Sequence, residues 1–126
     1  MPAILFNILI VAFGSGLGGV CRFLVSKLFA TGAPSAFPLG TLVVNLGGCF
    51  LIGLIYGFID RGFTLSPAMK LFLTVGFCGG FTTFSTFMNE NFLLFRTGLT
   101  ATFIIYAAVS FLFGLALLYV GYRLSN

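Results

Sequence analysis

The chain contains no histidine and no tryptophan, and its only acidic residues are Asp60 and Glu90. That shortage excludes paired-carboxylate catalysis, Ser-His-Asp and Cys-His arrangements, and the usual ligand sets for transition metals. Enzymatic hydrolysis is therefore not expected. Cysteine is sparse too: Cys21, Cys49 and Cys78 are odd in number and sit inside apolar runs, so they read as small packing residues. Charge is scarcer still. Only 6% of the 126 residues are charged, against about 25% in soluble domains, and mean hydropathy is +1.19. A soluble fold of this composition would expose large apolar patches to water, so its solvent is lipid. The basic residues give a net charge of +4 but are scattered singly, which leaves no patch for nucleic acid.

The charges divide the chain into uncharged stretches: Met1 to Cys21, Leu28 to Ile59, Leu71 to Asn89 and Thr97 to Tyr122. A helix crossing the hydrocarbon core needs about 20 mostly apolar residues. The second stretch is too long for one span and opens with a turn-rich run from Thr31 to Pro38, so its helix begins near Leu39. The pattern predicts an all-α membrane protein, a single transmembrane domain over residues 1–126, with four helices at roughly 4–29, 39–59, 68–93 and 99–122. The first span lacks a basic region before it, with Arg22 and Lys27 following instead, so it reads as a retained span and not a signal peptide.

Four spans put Arg61, Lys70 and Arg123 on one side and Arg22, Lys27 and Arg96 on the other. Equal basic charge gives no instruction about orientation. Both orientations are expected to coexist, which points to an antiparallel homodimer resembling the inverted repeats of larger transporters.

Polar groups inside spans are costly and are candidates for function. Glycines four apart, Gly14/Gly18 and Gly53/Gly57, are expected to build close helix crossings and a dimer seam. Asn45 offers both amide donors and an acceptor, either for an interhelical hydrogen bond or for an ion path. Arg22 either snorkels to the interface or sets a positive potential that draws anions inward. The segment from Gly76 to Phe87 is the most unusual. Adjacent Gly79 and Gly80 followed by Thr82, Thr83, Ser85 and Thr86 make poor helix in mid-membrane, so a break is expected. Freed carbonyls there would make an oxygen site for a small cation. Hydroxyls that simply bond back to the preceding turn are the alternative. Phe84 and Phe87 share a face; they either pack or offer positive ring edges, with the hydroxyls between them, to a dehydrated anion.

These residues resemble a known family, the small fluoride channels called Fluc or CrcB. The resemblance rests on Gly18-Gly19-x-x-Arg22, on Gly40-Thr-Leu-Val-Val-Asn45-Leu-Gly-Gly-x-x-x-x-Gly53, and on Gly76-x-x-Gly79-Gly80-x-Thr-Thr-Phe84-Ser-Thr-Phe87-x-x-Glu90. It implies a dual-topology homodimer with two antiparallel pores that passively exports fluoride from the cytoplasm, across the inner (plasma) membrane, and so relieves its toxicity. By position, Phe84 and Phe87 would form the pore-lining Phe box and Asn45 the pore asparagine. Ser85, Thr86, Tyr106 and Glu90 match a polar track, and Arg22 matches a vestibule arginine. Carbonyls of Gly79 and Thr82 would hold a structural sodium ion (Na+) at the dimer interface. Ser110 matches one serine of the last helix, while a second serine position is Gly114 here.

Two other readings compete. A small dual-topology, proton-coupled exporter of organic cations would need an acid deep in a span, and Asp60 and Glu90 are poorly placed for that. A purely structural subunit would tolerate apolar replacement of Asn45, Thr82 and Ser85.

Overall fold

The computed structural model of the chain describes residues 2–30 and 37–126. Of the turn run drawn at Thr31 to Pro38, only Phe37 and Pro38 lie within them. The described residues form helices and no strand. Helix α1 covers Ala3–Phe29 and α2 covers Leu39–Asp60. The third span is built in pieces: α3 at Pro67–Leu71, a π-helical stretch at Phe72–Cys78, one further turn, α4, at Gly79–Phe81, and then α5 at Phe84–Arg96. Helix α6 covers Thr100–Ser125. Four of these runs are long and apolar enough to cross a membrane, the third being Pro67–Arg96 taken as one.

Local chemistry sets the ends of the third span. Ser66 caps its start, accepting a hydrogen bond from the Met69 amide at 3.1 Å, and Pro67 occupies the first turn, where its missing N–H is not needed. The Thr97 hydroxyl closes its end on the Leu93 carbonyl at 2.8 Å, and Gly98 then reverses the chain at a φ of 85°. Helix therefore continues to Arg96, three residues beyond the expected 93.

The expected break is present, and it lies at Thr82 and Thr83, just after the double glycine. Both residues are extended, with φ/ψ of −93°/160° and −150°/118°. The π-helical stretch ahead of it was not legible as such; π turns interrupt α-helices mostly where function or strain demands.

The break changes partners. The first half of the third span lies along α1, and α5 leans on α6, where Phe87 meets Tyr106 and Phe95 meets Phe103 edge to face. The glycine pairs explain the first contact. A Cβ on Gly18 would overlap the Phe77 carbonyl, and one on Gly14 would come within 2.8 Å of the Phe72 carbonyl. Gly53 and Gly57 do the same for α2 against α6, facing the backbone of Leu118 and Tyr122. Both pairs thus join spans of the same chain, and the faces they occupy are not free for a dimer seam. Gly16 and Gly19 have open space where a Cβ would stand. Tyr106 and Val44 are fully buried, whereas large side chains such as Phe13, Val75 and Phe111 are more than half exposed, as suits a surface bathed in lipid or covered by another chain.

Candidate functional site

The site forms where α2 crosses the break. Thr41, Asn45 and Cys49 recur every fourth residue and so share a face of α2. Asn45 reaches the break with both ends of its amide: its Nδ2 donates to the Thr83 carbonyl at 3.1 Å, and its Oδ1 accepts from the Thr83 N–H at 2.8 Å. One of its amide hydrogens is left over, because a primary amide carries two. The Thr83 hydroxyl in turn caps α5, accepting from the Thr86 amide at 3.3 Å.

These bonds decide which carbonyls the break leaves open. The Thr83 amide would normally close the next helical turn on the Gly79 carbonyl, but it is committed to Asn45. The Thr86 amide would close on the Thr82 carbonyl, but it is committed to Thr83. The Cys78 carbonyl, in contrast, accepts from both the amide and the hydroxyl of Thr82, at 3.1 and 2.9 Å, and the Gly80 carbonyl accepts from Arg22 Nε at 3.1 Å. The break takes the helical donors from the carbonyls of Gly79, Gly80, Phe81 and Thr82. Of these residues Gly79 and Thr82 line an open cavity of 390 Å³, together with Asn45, Thr83, Phe84 and Phe87. Neutral carbonyl oxygens suit a small hard cation. Among the described residues no group of three or more His, Cys, Asp or Glu side chains offers a metal site of another kind. The donor set present could therefore hold a small hard cation such as sodium, with further oxygens needed to complete its shell.

The aromatic pair stands at the start of α5. Phe84 is 73% exposed, its ring centroid 6.3 Å from that of Phe87, and Phe87 meets the Tyr106 ring edge to face at 5.0 Å. Ser85 and Thr86 are exposed beside them. Further along α5, Glu90 is held by two hydroxyls: Tyr106 donates to Oε1 and Thr41 to Oε2, each at 2.9 Å. The Ser110 hydroxyl, one turn beyond Tyr106 on α6, is buried and has no hydrogen-bond partner among the described residues. At Gly114, where a Cβ would stand, the nearest atom is Cys49 Sγ at 3.4 Å, so the thiol covers that position.

The structure thus brings together Asn45, Gly79, Thr82, Phe84 and Phe87 around one cavity, and groups Tyr106 with Glu90 beside it. Arg22 is not among the cavity-lining residues; it bonds the carbonyl of Gly80, next to Gly79. Two residues were given no site role from the sequence. Thr83 is the hinge of the arrangement, and its signal was a hydroxyl residue three positions before another, just past the glycines. Thr41 holds Glu90, and its signal was its place one turn before Asn45.

Four membrane spans, one of them broken beside an open cavity, define a small multi-pass membrane protein of a distinct architecture. The chain belongs to the CrcB family: residues 9–122 match the family described as CrcB-like protein, Camphor Resistance (CrcB). It is 43% identical over 120 residues to the fluoride-specific ion channel FluC of Azobacteroides pseudotrichonymphae genomovar. CFP2, covering 95% of this chain and 96% of that one. It is 44% identical over 118 residues to the protein of the same name from Bacteroides fragilis strain YCH46, covering 91% and 92%. With that of Chlorobium phaeobacteroides strain BS1 the identity is 42% over 126 residues, covering 100% and 98%.

Proposed function

We propose that the protein is a fluoride-selective ion channel of the plasma membrane, which lets fluoride leave the cytoplasm passively and so relieves its toxicity. The observation that carries this reading is the two-point bond from Asn45 to Thr83, which holds the Phe84 and Phe87 rings, the α5 N-terminus and nearby hydroxyls at one open cavity. Fluoride is small and strongly hydrated. A path for it must replace water with several weak donors at once, and a chain of ring edges, hydroxyls and a spare amide hydrogen does so without a full charge to trap the ion. The names of its relatives support the choice of anion.

The working form in this reading is an antiparallel homodimer with two pores. The balanced basic charge of the two sides supports dual topology, and the open cavity supports a second copy as its cover. Carbonyls of Gly79 and Thr82 from both copies would hold a structural sodium ion, whose positive charge would tie the two breaks together. Asn45, Phe84, Phe87, Ser85, Thr86, Tyr106, Ser110 and Glu90 would line the anion path, and the whole chain would act as one transmembrane domain. A proton-coupled cation exporter gains no support from Glu90, since both carboxylate oxygens already accept hydroxyl hydrogens.

The test is fluoride efflux from liposomes holding the purified protein, with potassium as counter-ion, valinomycin to carry it and chloride for comparison. Fast fluoride efflux with little chloride efflux is the expected result. No fluoride flux from well-folded protein would overturn the reading.

A further inference from the structure

The carbonyls of the break are divided between two kinds of cation. Helix α1 presents Ser15, Gly18 and Arg22 along one face, spaced three and four residues apart. The first two bring α1 against the third span: Gly18 lies on Phe77 and Phe81, and Ser15 lies on Gly80. The next turn of α1 carries Arg22 past the end of α4, where its Nε donates to the Gly80 carbonyl. A half-helix ends there, with its negative dipole end and unpaired carbonyls in the middle of the span. The guanidinium therefore supplies a fixed positive charge at that end. Its charge is not cancelled by either acid through the bonds seen, because Asp60 is bonded to Tyr122 and Glu90 to Thr41 and Tyr106.

Gly79, which lines the cavity and whose carbonyl has lost its helical donor to Asn45, is the neighbouring residue. Consecutive Cα atoms lie about 3.8 Å apart, so an ion on Gly79 and the guanidinium on Gly80 share one helix end. We propose that Arg22 sets the valence of the cation that the Gly79 and Thr82 carbonyls accept, admitting a monovalent ion and rejecting a divalent one. This rests on the cation reading above. The physical reason is twofold. Repulsion from a fixed positive charge scales with the charge of the ion, so a divalent ion meets twice the penalty. The ligands are neutral carbonyls, which offer no carboxylate to compensate. Arg22 acts here as a positioning and selecting residue, through the electrostatics of the helix end.

Thermal unfolding of the full chain in detergent, followed by far-ultraviolet circular dichroism, tests the proposal without any flux measurement. Sodium and calcium chlorides are compared at matched ionic strength over an N-methylglucamine background. The native protein is expected to be protected by sodium and not by calcium. Arg22→Gln keeps a donor and removes the charge, and it is expected to gain protection by calcium, at concentrations at least about tenfold below the highest at which the native chain stays unprotected. Arg22→Lys keeps the charge and is expected to go on ignoring calcium. Equal protection of the native chain by calcium would overturn the role of Arg22 while leaving a cation site in place, a result that needs no variant to fold. Calcium protection of Arg22→Lys, or its absence in Arg22→Gln when sodium still protects, would also overturn it. Sodium failing to protect the native chain would instead overturn the cation reading itself, and this proposal with it.

Discussion

Asn45 and Thr83 are joined by a pair of hydrogen bonds, of 3.1 and 2.8 Å, in which one side-chain amide closes both backbone groups of a residue in the break. A strand would use another strand for this purpose. In lipid, where water is not at hand to satisfy extended backbone, a side chain from α2 does it. The same pair frees the Gly79 carbonyl, since it takes the amide that would otherwise close on it. One residue of α2 therefore both stabilises the break and creates the oxygen site beside it.

Replacing Asn45 separates those roles. Asn45→Leu strands the Thr83 N–H and C=O together and is expected to cost about 2–6 kcal/mol of stability, the sum for two unsatisfied groups. Asn45→Asp keeps the acceptor but loses the donor and adds negative charge, so it is expected to abolish fluoride efflux from liposomes with a smaller loss in stability. Unchanged efflux from Asn45→Asp would put this residue outside the ion path.

The aromatic pair gives a cleaner test of conduction. Phe84 is largely exposed and Phe87 only half buried, so neither replacement by Ile opens a sealed core. Phe84→Ile and Phe87→Ile are expected to keep the elution volume and helicity of the native protein and to lose fluoride efflux by about tenfold or more, the loss of about 1.4 kcal/mol of ring-edge stabilisation. Native flux in both variants would remove the rings from the mechanism.

Glycines that look alike in the sequence should behave differently. Gly18→Ala drives a methyl into the Phe77 carbonyl and is expected to destabilise the chain by about 1–3 kcal/mol in denaturant titrations. Gly16→Ala meets open space inside α1 and is expected to raise the unfolding midpoint slightly, by the helix preference of Ala over Gly of about 0.5–1 kcal/mol. Gly79→Ala has only an ordinary contact at 3.8 Å with the Thr74 carbonyl, so the chain itself has room for it. Lost self-association or lost sodium protection in Gly79→Ala would then report a cation or a second chain at the cavity, and a native profile would argue against both.

Glu90 depends on donors from two other helices. Tyr106→Phe and Thr41→Val each remove one of them, and each is expected to cost about 1–3 kcal/mol, as for a hydrogen bond to a charged group. A double-mutant cycle with Glu90→Gln, read by thermal unfolding, should give a coupling well above measurement error. Independent, additive effects would mean that these hydroxyls do not hold the carboxylate.

The spans and the break could be read from the chain because both are local properties. A run of about 20 apolar residues suits a membrane span, and Gly79-Gly80 followed by hydroxyl residues weakens helix in mid-membrane enough for it to open at Thr82 and Thr83. Which residues a helix end recruits is not local. Thr97 and Gly98 extended the third span past its expected end, and Ser125 lengthened α6 by bonding the Gly121 carbonyl and lying against Gly57.

Composition and hydrophobic runs alone determined that this is a four-span membrane protein with a weak point in its third helix, because lipid solvent leaves few ways to bury so much apolar surface. Tertiary structure alone decided the partners. Arg22 and Gly80 are 58 residues apart, Asn45 and Thr83 are 38 apart, and Thr41 and Glu90 are 49 apart. No periodicity encodes such pairings. They follow from where the glycines let backbones approach, so that α1 holds one half of the broken helix, α6 holds the other, and α2 reaches into the gap between them.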